Sequence, residues 1–298
     1  MTSVQMREII DALRRRQAER ASGPPRTLAQ TRAAFAPVGQ LLPLPDDVTV
    51  TAVDAAGVPS YWLDPPATEP GQVLLYLHGG GYTLGSLSSH GPLAAELGRA
   101  TGRRVLFPQY RLAPEHQFPA AVEDVHAVWQ WLRTVHGTPA ASVVVAGDSA
   151  GGGLALTLLQ QIRDAGETLP ARGVLLSPLL DLTASGDSLT RPTGDDPIFT
   201  PQAIRALAPV YLGDADPRDP AASPLFGTLA GLPPLLLQTG TAEVLLSDSQ
   251  RLAHAAAEAG VDITLQTADS LPHVYQGALG TPEAIQAVRL VAEFTRGQ

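Results

Sequence analysis

From residue 73 onward, the sequence alternates between short apolar runs and longer helical stretches, and this alternation constrains the fold more than any other feature. The apolar runs occupy residues 73–77, 105–107, 143–146, 174–176, 235–238 and 263–266. The helical stretches occupy residues 88–101, 119–136, 150–165, 201–212, 247–260 and 282–296. Strands that are apolar on both faces and alternate with helices indicate a mostly parallel sheet covered by helices on both sides. Right-handed crossovers make this a doubly wound α/β fold.

The remaining segments carry different patterns. Residues 1–22 predict an amphipathic helix. Its apolar face is expected to contain Val4, Ile9, Ile10 and Leu13. Residues 48–53 and 60–63 alternate like two antiparallel strands around a turn. The proline-rich segment 181–232 interrupts the alternation, and we interpret it as an insertion over the carboxyl ends of the strands, where open α/β sheets bind ligands.

Two residue types are missing from the chain. All 20 basic residues are arginine, and there is no cysteine. Without cysteine, the chain has no disulfides, thiolate metal sites or cysteine nucleophiles. Without lysine, it has no P-loop lysine, no Schiff base with pyridoxal phosphate and no Ser–Lys dyad. The enzyme classes that depend on these groups are therefore excluded.

The charge and the hydropathy pattern limit the partners of the chain. With a net charge of −9, it gains nothing from releasing phosphate counterions, so nucleic acid is not an expected partner. The first 21 residues are rich in charged side chains and lack the apolar centre of a secretory signal. No apolar run approaches the roughly 18 residues of a membrane span. We expect a cytoplasmic protein without a membrane partner.

The sequence Gly147-Asp148-Ser149-Ala150-Gly151 has the form G-x-S-x-G. An apolar run precedes it and a helical stretch follows it, which is the strand–turn–helix context of a nucleophile elbow. Glycines are needed where such a turn crowds the backbone around a strained serine, and the helix N-terminus favours developing negative charge. We therefore predict Ser149 as a nucleophile. The alternative is an ordinary glycine-rich turn.

A second glycine-rich segment, HGGGY, begins at His78 directly after the first apolar run. Consecutive glycines let backbone N–H groups turn toward a ligand. We predict an oxyanion hole formed by Gly79, Gly80 and Ala150, with Gly81 shaping the loop. A phosphate-binding loop is excluded, because no G-x-G-x-x-G frame fits. His78 is interpreted as orienting the loop rather than transferring protons.

The catalytic base is sought among the histidines that follow Ser149, because the chain order in α/β-hydrolases is serine, acid, histidine. Only His254 and His273 lie far enough along the chain. His254 lies within a helical stretch and is interpreted as exposed. His273 follows the last apolar run in loop-like sequence, where catalytic groups are often found, so we predict it as the base. Surface or packing roles are assigned to His90, His116, His126 and His136.

Two carboxylates that follow the apolar run 235–238 compete for the role of triad acid. Glu243 lies in the loop itself, whereas Asp248 lies at the start of the next helix, where aspartate commonly caps free N–H groups. Because capping suits Asp248, we favour Glu243, and Asp248 stays open as the alternative. The acid holds the imidazole tautomer and stabilises the imidazolium without taking the proton.

Four motifs lie between residues 78 and 152: HGGGY at 78–82, YRLAPE at 110–115, PAAVED at 119–124 and GDSAGG at 147–152. Together they make the chain resemble the bacterial hormone-sensitive-lipase-like esterases of the α/β-hydrolase superfamily. The resemblance runs from about residue 73 to the C-terminus. It implies an α/β-hydrolase fold, an oxyanion hole in the glycine loop, and a triad of Ser149, an acid in the loop 240–248 and His273.

The resemblance also implies a division of the chain. Residues 1–45 match the N-terminal part of a helical cap, and residues 46–298 match the catalytic domain. Part of the segment 184–215 is expected to join the cap. An exposed edge strand at the end of the sheet would allow a homodimer.

The chain departs from the family pattern at the acid. Relatives usually carry aspartate in an Asp-Pro-Leu pattern, whereas this chain has Glu243-Val244-Leu245. Glutamate can do the same work with one more methylene of reach. In the YRLAPE motif we expect a structural ion pair between Arg111 and Glu115.

These assignments predict a serine carboxylesterase that needs neither a metal nor an organic cofactor. His273 removes the proton of Ser149 as it attacks the ester carbonyl, and water then clears the acyl-enzyme. Because the chain lacks a lipid-anchoring segment, we favour small, soluble esters with short acyl chains. Resemblance to bacterial acetyl-hydrolases and lactone hydrolases extends this to acetyl esters and lactones. The alternatives are an amidase or formamidase on the same triad and a non-catalytic small-molecule-binding module.

Overall fold

The computed structural model describes residues 2–24, 26–35, 43–190 and 196–296. Its strands are β1 (Thr49–Ala55), β2 (Val58–Asp64), β3 (Val73–Leu77), β4 (Arg104–Pro108), β5 (Val143–Asp148), β6 (Arg172–Leu176), β7 (Leu235–Gly240) and β8 (Ile263–Ala268). They form one sheet with the order β1-β2-β4-β3-β5-β6-β7-β8. The β1–β2 and β2–β4 pairs are antiparallel and the other pairs are parallel. The predicted mostly parallel α/β sheet is confirmed.

Helices cover both faces of this sheet. They are α1 (Val4–Ser22), α2 (Leu28–Ala33), α3 (Leu87–Thr101), α4 (Ala120–Thr134), α5 (Ala150–Asp164), α6 (Pro201–Leu212), α7 (Leu246–Glu258) and α8 (Pro282–Arg296). The core on one face includes α4, α5 and α7, and the core on the other face includes α3 and α8. None of the helices in the described ranges is both long and apolar enough to cross a membrane.

Strand β3 shows why the apolar runs are continuous. Val73, Leu75 and Leu77 point into the core that contains α5, whereas Leu74 and Tyr76 point into the core that contains α3. Side chains alternate between the two faces of a strand, so a strand covered on both sides needs apolar residues at every position. Strands β3 and β5 pair in parallel, so their carboxyl ends lie side by side. The glycine loop follows the end of β3, and Ser149 follows the end of β5.

Ser3 caps the N-terminus of helix α1, and its hydroxyl accepts the N–H of Met6 at 3.1 Å. The predicted apolar face is wrong at Val4, which is 59% exposed, whereas Met6 is fully buried. Met6 precedes Ile9 and Ile10 by three and four residues, which places the three side chains on one face of the helix. Val4 lies outside this spacing.

The buried face of α1 packs against the loop that carries His273. Met6 belongs to a cluster with Leu271 and Tyr275, which flank that loop. Leu13 packs against the same cluster. The N-terminal helix is therefore fixed next to the predicted base rather than elsewhere on the sheet.

The predicted cap ranges are described in part. Of residues 1–45 and 184–215, the structure leaves residues 1, 25, 36–42 and 191–195 outside the described ones. The described parts contain α1, α2 and α6, and each of these helices contributes side chains to the wall of one cavity at the carboxyl edge of the sheet.

The expected pair between Arg111 and Glu115 does not form. Arg111 binds Asp124 on α4, with 2.9 Å between Nε and Oδ1, because the buried Asp124 also accepts the N–H of Arg111. Glu115 instead accepts the guanidinium of Arg32 on α2 at 2.8 Å. The YRLAPE motif thus joins α4 to the N-terminal segment through two separate ion pairs.

Candidate active site

Ser149 lies in the tight turn between β5 and α5. Its φ of +54° and ψ of −121° belong to a region that non-glycine residues rarely occupy, at a cost on the order of 1–3 kcal/mol. Its N–H donates to the carbonyl of Leu176 at 2.8 Å, and its carbonyl accepts the N–H of Leu179 at 2.9 Å. These bonds to the end of β6 and the following loop hold the strained turn at the carboxyl edge of the sheet.

The two glycines of the elbow allow close backbone approaches. A Cβ on Gly151 would lie 2.0 Å from the carbonyl oxygen of Leu77 at the end of β3. A Cβ on Gly147 would lie 2.3 Å from the carbonyl oxygen of Gly151. Helix α5 therefore approaches β3 and β5 more closely than any residue with a side chain permits, and this keeps the elbow beside the glycine loop.

The glycine loop after β3 turns sharply through positive φ values. Gly80 has φ of +111° and Gly81 has φ of +61°, and the Gly80 carbonyl accepts the N–H of Leu84 at 2.9 Å. The N–H of Gly79, which the sequence predicts as an oxyanion donor, donates to Asp148 Oδ1 at 3.0 Å in this structure. Within the described part of the chain, the N–H groups of Gly80 and Gly81 have no such acceptor.

His78 supports the glycine loop through a hydrogen bond and ring stacking. It is fully buried, its Nδ1 donates to the carbonyl of Gly79 at 2.8 Å, and its ring stacks on that of Tyr110 with centroids 4.2 Å apart. Burial, reinforced by the neighbouring His90 imidazole, lowers the pKa of His78 to about 3. The ring is neutral at ordinary pH, so it supports the loop and does not exchange protons there.

Asp148, the residue before Ser149, connects the elbow to the glycine loop, a role that sequence reasoning missed. Its Oδ1 accepts the Tyr76 hydroxyl at 2.6 Å as well as the Gly79 N–H, and its Oδ2 lies 3.5 Å from Nε2 of His90. Burial opposes ionisation, but His90 and Tyr76 outweigh it and lower the pKa of Asp148. The sequence signal was the position of Asp148 inside the G-x-S-x-G motif.

His90 is thus a packing residue with an electrostatic role. It is 3% exposed, it lines the cavity, and its Nδ1 lies 2.7 Å from the Ser89 hydroxyl. His254, by contrast, is exposed on α7, as its helical position predicted. Its Nε2 lies 3.4 Å from Oε1 of Glu258.

His273 and Glu243 meet at the end of the sheet. Glu243 Oε2 lies 3.7 Å from His273 Nδ1, and both side chains are buried. Three donors hold the carboxylate: the hydroxyls of Thr239 and Ser177, at 2.6 and 2.7 Å, and the N–H of Gly240 at 3.3 Å. The carboxylate is therefore fixed in position by groups at the ends of β6 and β7.

Ser177 is a second residue that sequence reasoning missed. Its hydroxyl donates to Glu243 and accepts the N–H of Val274 at 3.0 Å, so it connects the acid to the residue after His273. The signal available in the sequence was its position directly after the apolar run 174–176, at the carboxyl edge where ligands bind.

The surroundings of His273 favour its protonated form. Burial alone would lower the pKa of His273, but the carboxylate of Glu243, with weaker contributions from Asp196 and Asp148, outweighs burial and raises it. Asp196 is itself buried, which raises its pKa, and it accepts the N–H of Val244 at 2.9 Å. The edge of Phe199 packs against the His273 ring at 5.1 Å between centroids.

Asp248 lies away from this pair. It does not cap α7, whose N-cap residue is Leu245. Instead its Oδ2 accepts the N–H groups of Leu180 at 2.9 Å and Asp181 at 3.2 Å, so it fastens the loop after β6. Full burial raises the pKa of Asp248 to about 7. The expected capping role is wrong, because the side chain points to a neighbouring loop.

Ser149 and His273 line the same cavity, together with Gly80 and Gly81. Its volume is about 500 Å³, and its outer wall comes from α1, α2 and α6. Among the described residues, no group of three histidine, aspartate or glutamate side chains is arranged to hold a metal ion. The cavity thus combines a strained serine, a buried imidazole–carboxylate pair and free backbone donors, which is the set of groups that acyl transfer requires.

A family model described as alpha/beta hydrolase fold matches residues 74–277. The chain is 43% identical over 277 residues to an acetyl-hydrolase of Streptomyces hygroscopicus, which covers 91% of this chain and 89% of that protein. It is 35% identical over 257 residues to an esterase of Acinetobacter venetianus, which covers 86% and 84% of the two chains.

Solved structures extend the similarity beyond the matched family segment. An esterase from the bacterial hormone-sensitive lipase (HSL) family superposes with a TM-score of 0.94 at 41% identity, over 100% of this chain and 99% of that one. An esterase/lipase from an uncultured bacterium superposes with a TM-score of 0.90 at 38% identity, over 99% and 98% of the two chains. The likeness therefore includes the N-terminal helices.

Proposed function

The chain belongs to the bacterial hormone-sensitive-lipase family of α/β-hydrolase-fold esterases, and from this premise we propose that it cleaves small carboxylic esters with Ser149, His273 and Glu243. Its similarity to an acetyl-hydrolase and to two esterases identifies it as a carboxylic ester hydrolase. The observation that carries the assignment of the triad is the shared cavity, in which a strained serine and a buried histidine with an adjacent carboxylate occur together.

The reaction begins with the attack of Ser149 Oγ on the ester carbonyl carbon. His273 takes the hydroxyl proton and becomes an imidazolium, which Glu243 stabilises without accepting the proton. The C–O bond to the alcohol then breaks, and the alcohol leaves with the proton from His273. A water molecule, deprotonated by the same histidine, attacks the acyl-enzyme and releases the carboxylic acid and free Ser149.

Backbone donors stabilise the tetrahedral oxyanion in both steps. We assign this role to the N–H groups of Gly80, Gly81 and Ala150, which departs from the sequence-based expectation by leaving out Gly79. The occupied N–H of Gly79 supports this change. Ala150 is the first residue of α5, so its N–H also carries the positive end of the helix dipole. One such donor is typically worth about 10²–10³ in rate.

Several observations favour Glu243 over Asp248 as the acid. Glu243 Oε2 lies 3.7 Å from Nδ1 of His273, whereas Asp248 accepts hydrogen bonds from two backbone N–H groups of the loop after β6. Ser177, bonded to both the acid and the residue after His273, keeps their separation fixed. Nδ1 is otherwise without a partner in the described residues, so a slight closure would make it a donor to the carboxylate.

The substrates we propose are small esters with short acyl chains, including acetyl esters. The volume of about 500 Å³ suits a small molecule, and Leu207 and Phe199 supply apolar walls near Gly81 and His273. The name acetyl-hydrolase given to the Streptomyces relative agrees with this class. We further propose that α6, in the segment 184–215, acts with α1 and α2 as the cap over the cavity.

The test is Ser149→Ala, assayed with p-nitrophenyl esters from acetate to palmitate. We expect activity that peaks at short chains in the wild type and falls at least about 10⁴-fold in the variant, with an unchanged circular dichroism spectrum. A sulfonyl fluoride should sulfonylate Ser149 with loss of HF, so the wild type should gain the mass of the reagent less HF and the variant should gain nothing. The matched control is Ser22→Ala, which removes a hydroxyl at the exposed end of α1. Full activity in Ser149→Ala would overturn the proposal.

A further inference from the structure

Three arginines line the same cavity as Ser149 and His273. Arg16 and Arg20 lie in the last two turns of α1, and Arg26 follows in the short segment before α2. Arg20 and Arg26 are exposed, and Arg16 is partly buried. We call these three residues the arginine rim.

The arginine rim lacks the ion pairs that other arginines form. Elsewhere, Arg99 pairs with Asp47 at 2.8 Å and Arg251 pairs with Asp181 at 2.7 Å. Within the residues that the structure describes, no carboxylate oxygen lies within 4.0 Å of a guanidinium nitrogen of the rim. The positive charges of the rim are therefore not neutralised by direct contacts there.

Negative charge along the cavity wall does not balance the rim. In the described lining, the acidic residues are Glu19 and Asp148. Asp148 lies deep in the site, where Tyr76, Gly79 and His90 already hold both of its oxygens. Glu19 lies on α1 beside the rim and offsets one of its three charges. An excess of positive charge remains at this wall of the cavity.

This local excess contrasts with the chain as a whole, whose net charge is −9. An acidic protein repels anions on average, so a cluster of unpaired arginines beside its cavity produces an attraction limited to that place. Guanidinium groups also bind carboxylates through two parallel N–H···O bonds, which adds orientation to the attraction.

Helix stability does not explain the whole rim. A basic side chain in the last turn of a helix interacts well with the helix dipole, and this applies to Arg20. The effect is confined to the last turn, so it does not extend to Arg16, and Arg26 lies outside the helix.

We propose that the arginine rim binds a negatively charged group, a carboxylate in the simplest case, that the ester substrate carries away from its reacting carbonyl. The inference rests on the proposed ester hydrolysis and narrows its substrate class to anionic esters. The rim attracts such substrates and orients them, whereas Ser149 and His273 act on neutral and anionic esters by the same steps.

The experiment compares two pairs of esters that differ in one charge. The first pair is p-nitrophenyl glutarate with its free carboxylate and the methyl ester of the same compound. The second pair is 4-acetoxybenzoate and methyl 4-acetoxybenzoate, which place the charge on the alcohol side. Each kcat/KM is divided by the rate of alkaline hydrolysis of that ester, so that intrinsic reactivity cancels.

The variant is Arg16→Gln/Arg20→Gln/Arg26→Gln. Its matched control, Arg7→Gln/Arg14→Gln/Arg15→Gln, removes the same charge from α1 at positions that do not line the cavity. We expect the wild type to prefer the anionic member of at least one pair by about tenfold in kcat/KM at low ionic strength. The ratio of kcat/KM for the anionic ester over that for the neutral ester should approach one in the rim variant and stay unchanged in the control.

Salt gives an independent readout. Between about 0.01 M and 1 M ionic strength the Debye length falls from about 30 Å to about 3 Å, so the preference of the wild type should shrink. The proposal is overturned if neither anionic ester is preferred, if the preference survives in the rim variant, or if the control loses it equally. Absence of turnover of the neutral esters would instead overturn the proposed function on which this inference rests.

Discussion

The arginine rim differs in construction from the group formed by Ser149, His273 and Glu243, which we call the floor. At the floor, Glu243 is 1% exposed and His273 is 4% exposed, and neighbouring strand ends hold the carboxylate through hydrogen bonds of 2.6 to 3.3 Å. At the rim, Arg20 and Arg26 are exposed and lack ion-pair partners in the described residues. The floor is continuous with the sheet, whereas two of the three rim arginines lie on α1, which packs on one small apolar cluster, and Arg26 lies between α1 and α2.

This difference separates two tasks. Proton transfer requires groups held to within about 0.5 Å, and a parallel sheet supplies that precision at the carboxyl ends of its strands. Selection among substrates needs only surface groups that can change without disturbing the sheet. Substitutions at the floor should therefore lower kcat or stability, and substitutions at the rim should shift preference among esters.

After the loss of the nucleophile itself, the largest effect is expected for Glu243→Gln. Loss of the carboxylate removes the charge that stabilises the imidazolium, and kcat/KM should fall about 10³–10⁴-fold. The measurement is ester hydrolysis as a function of pH. If Asp248→Asn is crippled and Glu243→Gln is not, the assignment of the acid is wrong.

The same variant should move the acidic limb of the pH profile. His273 acts as a base only when neutral, and its pKa is raised above the ordinary value of 6.5, chiefly by Glu243 acting against burial. Activity in the wild type should therefore be lost as the pH falls through a value above 6.5. In Glu243→Gln the limb should lie at lower pH. An unmoved limb would mean that Glu243 does not set the charge of His273.

A smaller effect, on stability, tests how tightly the floor is packed. Gly151→Ala would place a methyl group 2.0 Å from the carbonyl oxygen of Leu77, and separating α5 from β3 should cost about 3 kcal/mol in the free energy of unfolding. The matched control is Gly166→Ala, which has φ of +67° and no atom within 4 Å of the new methyl. Strain alone should cost about 1 kcal/mol there. Equal costs in denaturant titrations would contradict the close approach.

Asp248→Asn should produce a pH-dependent gain in stability. The pKa of Asp248 is about 7 in the folded protein against an ordinary value of 3.8, because burial disfavours its charge. The folded state then binds a proton that the unfolded state releases, so this residue stabilises the fold less as the pH rises from about 4 to about 7.

Asparagine keeps an acceptor for the N–H groups of Leu180 and Asp181 but carries no charge. The free energy of unfolding of the variant, relative to the wild type, should rise by on the order of 4 kcal/mol between pH 4 and 8. Asp262→Asn, at an exposed position, is the control and should show no such trend. A flat difference for Asp248→Asn would show that its carboxyl is not destabilised by burial.

Strands β3 to β7 could be predicted from the sequence because both faces of the sheet are buried there, whereas the edge strand β8 has no buried residue. Each apolar run from residue 73 onward became a strand, extended by up to two residues at either end, as in β5 and β8. The helix positions followed from the same alternation. The elbow and the glycine loop were visible because a tight turn needs specific residues at fixed spacing, as the close approach of Gly151 to Leu77 shows.

Contacts between separate elements could not be predicted in this way. The bond from Gly79 to Asp148 joins residues 69 apart, and the bond from Ser177 to Val274 joins residues 97 apart. Neither Gly79 nor Ser177 is an unusual residue at its position, so no local sequence pattern predicts its hydrogen-bond partner. Asp248 was misread for the same reason, since its position near a helix start suggested a cap while its partners lie in the loop after β6.

The smallest effect is expected at Leu207 on α6, which lines the cavity beside Gly81. Its Cδ1 lies 2.9 Å from the point where a Cβ on Gly81 would be, so it limits the space beside the proposed oxyanion hole. Leu207→Ala should let longer acyl chains fit there, and the ratio of kcat/KM for p-nitrophenyl hexanoate over acetate should rise about fivefold. The control is Val210→Ala, an exposed position on the same helix. A fall in both rates with an unchanged ratio would mean that Leu207 supports the glycine loop and does not select the acyl chain.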